Sequence, residues 1–311
     1  MIISVDNGNA YTKTPNVSFP SGVVKLDSKP IINTGDILEY NGNYYSLVNE
    51  RLTYEKDKTN NEYLSILTLF AIAKELLYTK QKFHQNRIIL AVGLPPGHYA
   101  LLKDKFINYF KSMGKGGYIK FKYNEKEFNI ILEKVYVFPQ GFAAVAPKAL
   151  EIKKYSRAYI IDIGGYTVDT LLLINGKPDM SCVDSLEVGI IPLYNTIKKK
   201  VSILHDIKIE ESDIKELMSS NSYNNVLSDN EEIKNIINEE ASKHANEILN
   251  QLREKGIDLK SSYGIFVGGG SLLLYDYIRK SNKVNKLELL SDTKANAQGY
   301  FSLAERLEDY K

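Results

Sequence analysis

Cysteine, tryptophan and histidine are scarce in this chain. Among 311 residues there is one cysteine, Cys182, no tryptophan and four histidines. A single cysteine excludes an intramolecular disulfide framework and a thiolate metal cluster, and we expect Cys182 to pack as a small apolar side chain. No spacing typical of metal ligands relates the histidines to one another or to the cysteine, so we expect packing or surface roles for them. The histidines are His84, His98, His205 and His244.

Long apolar runs and an excess of one charge are also missing. No stretch reaches the roughly 18 apolar residues that span a bilayer, and the N-terminus begins as a strand where a leader would have a basic and then an apolar segment. The formal net charge is only +2, too weak a field to indicate direct binding of nucleic acid. The sequence therefore predicts a cytoplasmic protein that contacts neither a membrane nor nucleic acid directly.

The remaining composition is that of a globular chain, with 43% hydrophobic and 25% charged residues. A chain of this length can bury a sizeable core and should divide into about two lobes. Apolar residues at helical spacing predict five helices. These cover residues 62–80, 98–113, 189–205 and 212–218, together with a long helix that follows a capping-box pair, Ser228 and Glu231, and ends at Lys255.

Turn-forming residues separate the predicted elements. Residues 41–42, 124–125 and 175–176 predict β-hairpin turns, because Asn-Gly and similar pairs readily adopt positive φ. Residues 93–97 contain two prolines and predict a turn that continues neither a strand nor a helix. The polar residues 219–230 predict a loop.

Residues 160–169 form the most informative stretch, an apolar run that ends in a carboxylate, two glycines and a hydroxyl. We interpret it as a phosphate-binding β-hairpin, because glycines allow a tight turn whose backbone N–H groups can approach an anion. A pair of glycines between strands is also typical of an ordinary hairpin turn, and an Asp at a strand end is a common turn residue. The candidate residues are Asp162, Gly164, Gly165, Tyr166, Thr167 and Asp169.

Residues 2–13 repeat this plan at the N-terminus, with an apolar strand, an Asp at its end, a glycine turn and then a lysine. The repetition favours a functional interpretation and indicates a duplicated fold. Two such hairpins could hold the phosphates of a nucleotide from two sides, with Asp6 and Asp162 holding the water shell of Mg²⁺ and Lys13 neutralising phosphate charge. The candidate residues here are Asp6, Asn7, Gly8, Asn9 and Lys13.

A third glycine motif follows the apolar residues 265–267. A strand that runs into three glycines and then into a helix suits the close approach of backbone to a sugar or a base. The candidates are Gly268, Gly269 and Gly270.

With these motifs in this order, the chain resembles the actin, Hsp70 and hexokinase superfamily, and within it the bacterial actin-like proteins that segregate plasmids, the ParM/StbA family. The resemblance covers the whole length. Residues 6–13 are similar to the first phosphate motif, 139–144 to the first connecting helix, 162–169 to the second phosphate motif, 268–270 to the adenosine motif and 296–299 to the second connecting segment.

The resemblance implies an α/β, actin-like fold, a duplicated ribonuclease H-like architecture with two lobes and a nucleotide cleft between them. The first lobe is expected to cover residues 1–156, with a small outer subdomain at about 17–60. The C-terminal helix, 296–311, is expected to pack back on this lobe. Residues 157–295 would form the second lobe.

The resemblance also implies a function, a polymerising ATPase that uses ATP or GTP with Mg²⁺. Its filaments would consist of copies of this chain and would segregate plasmid DNA through a DNA-binding adaptor protein bound at a plasmid centromere. The implied catalytic residues are Gln140, which would orient the attacking water, and Asp162 and Asp169 near the water and metal. In the family a glycine matching Gly189 lies beside the phosphates.

One position departs from the family pattern. Many plasmid-segregation relatives carry Glu where this chain has Gln140. An amide can orient a water molecule but cannot take its proton, which puts the role of general base in doubt. The alternative is that Gln140 only caps the helix that begins at Gly141.

Other functions share this fold, because fold alone does not select function. A small-molecule kinase of the sugar-kinase type would need an Asp base in a substrate pocket. A chaperone would need an additional substrate domain, and a membrane-bound cell-shape actin homologue would need an amphipathic N-terminal helix or an exposed apolar loop.

Overall fold

The computed structural model describes residues 1–30, 35–51, 55, 57–81, 84–219 and 225–309. Within these residues the chain forms two compact units. Unit 1 comprises Met1–Pro147 and Lys294–Lys311, and unit 2 comprises Lys148–Thr293. No helix in the described residues combines the length and apolar character needed to cross a membrane.

Unit 1 is built on a mixed sheet that, in its described part, has nine strands in the order β3-β2-β1-β7-β9-β8-β5-β6-β4. The strands are β1 (Ile2–Asn7), β2 (Tyr11–Lys13), β3 (Ser18–Pro20), β4 (Gly22–Leu26), β5 (Ile37–Tyr40), β6 (Asn43–Val48), β7 (His84–Leu94), β8 (Tyr118–Tyr123) and β9 (Lys126–Pro139). The helices are α1 (Tyr63–Tyr78), α2 (Pro96–Lys111), α3 (Phe142–Val145) and α9 (Ala295–Asp309), with a 3₁₀ turn at Lys58–Asn60.

Burial follows the sequence pattern in unit 1. The strand residues Ile3 and Val5 are fully buried, and α1 is buried along most of its length, because its sequence is apolar almost throughout. Helix α9 packs on α3 and β7, where Ala143, Tyr300 and Ala91 form a small apolar cluster. This packing brings the start of α9 beside the exit of β9.

Unit 2 contains a smaller sheet of five described strands in the order β12-β11-β10-β13-β14. They are β10 (Arg157–Ile163), β11 (Val168–Ile174), β12 (Lys177–Leu186), β13 (Tyr263–Val267) and β14 (Lys286–Leu289). The helices are α4 (Ala149–Ile152), α5 (Ile190–His205), α6 (Glu211–Met218), α7 (Glu231–Glu254) and α8 (Gly269–Lys280). Its core joins β10 and β11 to the apolar faces of α5, α7 and α8.

The two sheets share one connectivity. In unit 2, β10 pairs antiparallel with β11 and parallel with β13, which pairs parallel with β14. In unit 1, β1 pairs antiparallel with β2 and parallel with β7, which pairs parallel with β9. The α/β fold class and its duplication, predicted from the sequence, are therefore confirmed.

Unit 2 begins at Lys148, ahead of residue 157 where the sequence pattern started the second lobe. The intervening residues make contacts inside unit 2. Lys148 forms an ion pair with Glu288, and the Tyr155 ring packs on the Tyr263 ring with 4.3 Å between centroids. These contacts tie the segment after α3 to strands β13 and β14.

The structure agrees with the predicted hairpin turns. Asn41 and Gly42 have φ of 50° and 75°, and Asn175 and Gly176 have φ of 49° and 75°. The turn at 124–125 likewise has positive φ at both central residues. Paired positive φ values match the right-handed twist of the flanking strands.

Residues 93–97 were predicted wrongly to be a turn. Strand β7 continues through Leu94, helix α2 begins at Pro96, and only Pro95 lies between them. Proline is well tolerated at the first helical position, because the N–H that it lacks would have no partner within the helix.

The capping-box prediction for the long helix was also wrong. Helix α7 begins at Glu231, and the side chain of Asn230 caps it by accepting a hydrogen bond of 3.1 Å from the Ile233 N–H.

Parts of three predicted segments lie outside the described residues. They are residues 220–224 of the predicted loop at 219–230, residues 31–34, 52–54 and 56 of the predicted outer subdomain, and the last two residues of the predicted C-terminal helix.

Cys182 does not pack in the core as expected. It is exposed on β12, which is an edge strand of the described unit 2 sheet, and its sulfur lies 3.8 Å from the Ser181 hydroxyl. Apolar and polar residues do not alternate regularly around Cys182. The open face of an edge strand leaves its side chain in solvent.

Candidate nucleotide-binding site

The first hairpin, residues 6–13, joins β1 to β2. Asp6 lies directly opposite Lys13, and Asn7 opposite Thr12. Directly opposed residues of an antiparallel pair place their side chains on the same face, about 5 Å apart at Cβ. Asp6 is buried, 6% exposed, while Lys13 is half-buried. The register thus places an acidic and a basic residue opposite each other at the end of the first strand.

Side chains from elsewhere in unit 1 hold the carbonyl groups of this hairpin. The Lys58 ammonium donates to the Asn7 carbonyl at 2.6 Å, and the Ser21 hydroxyl donates to the Gly8 carbonyl at 2.7 Å. In a trans peptide the C=O and the following N–H point in opposite directions, and the described chain has no cis peptide. The N–H groups of Gly8 and Asn9 therefore point away from these donors, toward the open side of the turn.

Gln140 lies at the exit of β9 and contacts Asp6. Its Nε2 donates to Asp6 Oδ1 at 3.2 Å, so the structure brings together two residues singled out from the sequence. The carboxylate can only accept, so the amide nitrogen must face it, and the amide oxygen of Gln140 stays available as an acceptor. Gln140 does not cap the helix, because the N-cap of α3 is Gly141 and no side-chain cap bond is made there.

The second hairpin, residues 162–169, joins β10 to β11 in unit 2. Asp162 lies directly opposite Asp169, and the Gly164 N–H donates to the Thr167 carbonyl at 2.8 Å to close the turn. Asp169 is buried and accepts a hydrogen bond of 2.9 Å from the Thr167 hydroxyl. Two carboxylates thus share one face at the end of the strand.

The N-terminus of α5 holds the back of this second hairpin. The N–H groups of Gly189, Ile190 and Ile191 donate to the carbonyls of Tyr166, Gly164 and Gly165, at 3.0, 3.1 and 2.9 Å. The trans-peptide geometry then turns the N–H groups of residues 165, 166 and 167 to the opposite side. Gly189 itself must be glycine, since a Cβ there would overlap the Gly165 carbonyl.

The third glycine motif packs against the end of β10. Gly268 has φ of 89° and caps α8, and a Cβ on it would overlap the carboxylate of Asp162. A Cβ on Gly270 would lie 2.5 Å from the Ile163 side chain, whereas one on Gly269 would meet nothing within 4 Å. The predicted residues of unit 2 therefore form one contiguous group around the end of β10, with Gly269 facing open space.

The carboxylates bear on whether this chain could hold Mg²⁺. Among the described residues, no group of three or more His, Cys, Asp and Glu side chains lies close enough to bind a metal directly. Two opposed carboxylates beside a glycine turn fit an ion that keeps most of its water ligands, as Mg²⁺ commonly does in phosphate sites. The donor set fits Mg²⁺ held through water by Asp162 and Asp169, with Asp6 as the corresponding carboxylate of unit 1.

Several residues that hold the hairpins have no recognisable signal in the sequence. Ser21 and Lys58 carry no local signal, since they reach the first hairpin only through the folded sheet. His244 was expected to have a packing or surface role, and it is buried in α7 with its Nε2 2.9 Å from the Gly189 carbonyl. Burial lowers the pKa of His244, so the ring is held neutral at this contact.

Solved structures with the same fold belong to actin homologues. An archaeal actin homologue has a TM-score of 0.75 at 17% identity, over 98% of this chain and 99% of that one. A ParM from a 15-stranded filament of Clostridium botulinum has a TM-score of 0.73 at 18% identity, over 98% and 99%. Bacillus thuringiensis ParM with ATP has a TM-score of 0.68 at 13% identity, over 99% of both chains. The fold is actin-like.

Two family models match consecutive parts of the chain. The model for the N-terminal domain of actin-like proteins matches residues 4–142, and that for the C-terminal part of archaeal MreB-like actin homologues matches residues 160–280. Together they cover most of the chain, which is similar to actin-like proteins in both matched parts. No curated protein sequence matches it.

Proposed function

We propose that this protein binds and hydrolyses ATP or GTP with Mg²⁺ and assembles into filaments that segregate plasmid DNA. The observation that carries the proposal is the repeated hairpin. In each unit a strand ends in an Asp, a glycine turn directs backbone N–H groups to its open side, and the opposing strand places a charged residue opposite the Asp. Repeated anion-binding turns in a duplicated fold suit a polyphosphate.

The two hairpins carry different charged residues. Lys13 would neutralise phosphate charge, while Asp162 and Asp169 would hold the metal through its water molecules. Bound Mg²⁺ would neutralise the charge that develops on the transferred phosphoryl group. Gly268, Gly269 and Gly270 would let the backbone approach the nucleoside. The outer two also let this turn pack closely on the end of β10, which a Cβ at either position would overlap.

Gln140 is the residue of this chain that we assign to the attacking water. Its amide nitrogen is committed to Asp6, so its oxygen is the group that would accept a hydrogen bond from the water. Gln140 would orient the water and exclude unproductive positions, and it would not take the proton. This assignment explains how an amide could serve where many relatives have a carboxylate.

Filament formation is the second part of the proposal. Its support is the actin-like fold, which the chain shares with ParM and Alp12 proteins solved as filaments. Plasmid segregation would then require a DNA-binding adaptor, because the net charge of +2 provides no strong field for DNA. Cytoplasmic localisation belongs to the same proposal.

Sedimentation with nucleotide tests the proposal most directly. Purified protein is centrifuged with Mg-ATP, with Mg-GTP, without nucleotide, and with each nucleotide plus excess EDTA, while phosphate release is followed in parallel. We expect protein in the pellet only with Mg²⁺ and nucleotide, together with phosphate release. Hydrolysis without pelleting at any protein concentration would favour the kinase alternative, and absence of both nucleotide binding and pelleting would overturn the proposal.

A further inference from the structure

The turn that carries Gln140 has an unusual backbone. Gly141 has φ of 71° and ψ of −54°, and the Phe142 N–H donates to the Gln140 carbonyl at 2.7 Å. These values describe a γ-turn of the positive-φ form, which is rare because its three-residue ring is strained. Such a conformation persists only where surrounding contacts hold it.

The neighbouring backbone groups show what holds this turn. The Gln140 N–H donates to the Leu94 carbonyl of β7 at 2.8 Å, which continues the β7–β9 pairing. The Gly141 N–H, by contrast, donates to a side chain, the Asn296 Oδ1 of α9, at 2.8 Å. Asn296 is 155 residues away along the chain. A polar side chain from the first turn of the C-terminal helix therefore bonds to the backbone of this turn.

The position of Asn296 is itself well determined. Helix α9 crosses α3 closely, because a Cβ on Gly299 would overlap the Ala143 carbonyl. One residue later, Tyr300 is fully buried, and its ring stacks on Phe138 of β9 with 6.2 Å between centroids. These contacts fix the start of α9 relative to the end of β9, so the Asn296 amide is held at the turn by packing.

We infer that Asn296 is a positioning residue for Gln140. By accepting the Gly141 N–H it stabilises the γ-turn, and the γ-turn sets the direction in which the Gln140 side chain leaves the backbone toward Asp6. This inference rests on the proposed function, because it assigns to Asn296 an effect on hydrolysis that acts only through Gln140. Asn296 itself would touch neither nucleotide nor water.

The test compares two variants of Asn296 with one control variant, using full-length protein. Asn296→Ala removes the acceptor and Asn296→Asp keeps an oxygen acceptor, while the control Asn108→Ala removes an exposed amide from α2 of the same unit. With Mg-ATP and Mg-GTP, we expect Asn296→Ala to lower kcat about tenfold with KM nearly unchanged. Asn296→Asp should restore most of the loss, and Asn108→Ala should match the parent.

A double-mutant cycle with Gln140→Ala separates positioning from stability. If Asn296 acts through Gln140, Asn296→Ala should lower kcat in the parent and have almost no further effect in the Gln140→Ala background. Thermal unfolding and near-ultraviolet circular dichroism give the folded fraction to which each rate is normalised. If Asn296→Ala does not fold, the parent and Asn296→Asp are compared with Asn296→Ser, whose shorter side chain cannot reach the Gly141 N–H.

The outcomes distinguish this inference from the proposed function. A parent protein that neither binds nor hydrolyses nucleotide overturns the proposed function and the inference with it. A parent that hydrolyses nucleotide, with Asn296→Ala at the parental kcat or with equal losses in both backgrounds, overturns the inference alone. A lowered melting temperature with unchanged kcat per folded molecule shows a purely structural role and also overturns it.

Discussion

The hairpins of unit 1 and unit 2 have the same register and different chemistry. Asp6 lies opposite Lys13 and Asp162 lies opposite Asp169, so in both units the strand-end Asp faces the residue seven positions later. One pair is an acid and a base, and the other is two acids. The shared backbone therefore fixes where charges are presented, while the residue on the second strand determines whether the pair suits a phosphate or a metal ion.

The two hairpins are also held in different ways. Side chains of Ser21 and Lys58 bind the carbonyls of the first, whereas the backbone N–H groups at the start of α5 bind those of the second. The helix terminus approaches the second hairpin closely, because a Cβ on Gly165 would lie 3.1 Å from the Ile191 side chain and one on Gly189 would overlap the Gly165 carbonyl. Three residues after the strand-end Asp, the first turn has Asn9 where the second has Gly165.

The largest effect is expected from Asp162→Ala, which converts the acid pair of the second hairpin into a single acid. Both Mg²⁺-dependent nucleotide affinity and turnover should fall, turnover by about 100-fold, because a group that orients metal-bound water contributes in ground and transition states. Binding is measured by fluorescent-nucleotide titration with and without Mg²⁺, and turnover by phosphate release.

Asp276→Ala is the matched control for this variant, since it removes an exposed carboxylate from α8 of the same unit. It should behave as the parent. Asp6→Ala is the corresponding variant of the first hairpin, and it also removes the hydrogen-bond partner of Gln140. In this variant the turnover should fall more than the nucleotide affinity. Hydrolysis by Asp162→Ala at the parental rate would contradict the role assigned to the second hairpin.

Gly189→Ala should separate the second hairpin from the helix that holds it. Its Cβ would overlap the Gly165 carbonyl, so α5 or the hairpin must move, at a cost of about 2 kcal/mol in the free energy of unfolding. Nucleotide affinity should fall with it. Urea unfolding measures the stability, with Gly97→Ala as the control, because a Cβ on Gly97 meets nothing within 4 Å. Equal stability of the two variants would show that the close approach is dispensable.

Lys13→Ala removes the base of the first hairpin. Loss of one charge-assisted contact to phosphate should weaken nucleotide binding about tenfold and reduce its salt dependence. Stability should change little, since Lys13 is half-buried at the edge of the turn. Titrations at low and high salt, with Lys25→Ala on β4 as an exposed control, measure the effect. An unchanged affinity would assign phosphate binding to the backbone alone.

The smallest effect concerns His244, which reaches the second hairpin through Gly189. Burial lowers the pKa of His244 in the folded protein below the ordinary value of 6.5. As the pH falls, the imidazole is therefore protonated in the unfolded chain at a higher pH than in the folded one. The contribution of the neutral ring to stability is thus complete above about pH 6.5 and is lost as the pH falls through the folded-state pKa.

His244→Gln should flatten this pH dependence and lower the free energy of unfolding by about 1 kcal/mol at pH 8, where the hydrogen bond to Gly189 is lost or lengthened. His98→Gln, in the other unit, serves as the control. Denaturant unfolding from pH 5 to 8 provides the measurement, and parallel pH profiles for His244→Gln and the parent would contradict the prediction.

The local features of these hairpins followed from sequence because they depend on neighbouring residues. Alternation of apolar side chains predicts the strands, and Asn-Gly or Gly-Gly pairs predict the turns. Local reasoning failed at residues 93–97, where proline was taken to end regular structure although it begins α2 at Pro96. It also failed for Cys182, because residue type does not tell which strand lies at a sheet edge.

The sequence by itself determined the α/β class, the duplicated strand–turn–strand units and the positions of the candidate acids, glycines and lysine. Only the tertiary structure decided which distant groups hold them. Gly8 is bound by Ser21, Gly189 by His244 and Gly141 by Asn296, and the partners are separated by 13, 55 and 155 positions in the sequence. Such contacts require helices and strands already packed at fixed distances, and the packing depends on the whole core, which no local pattern of residues specifies.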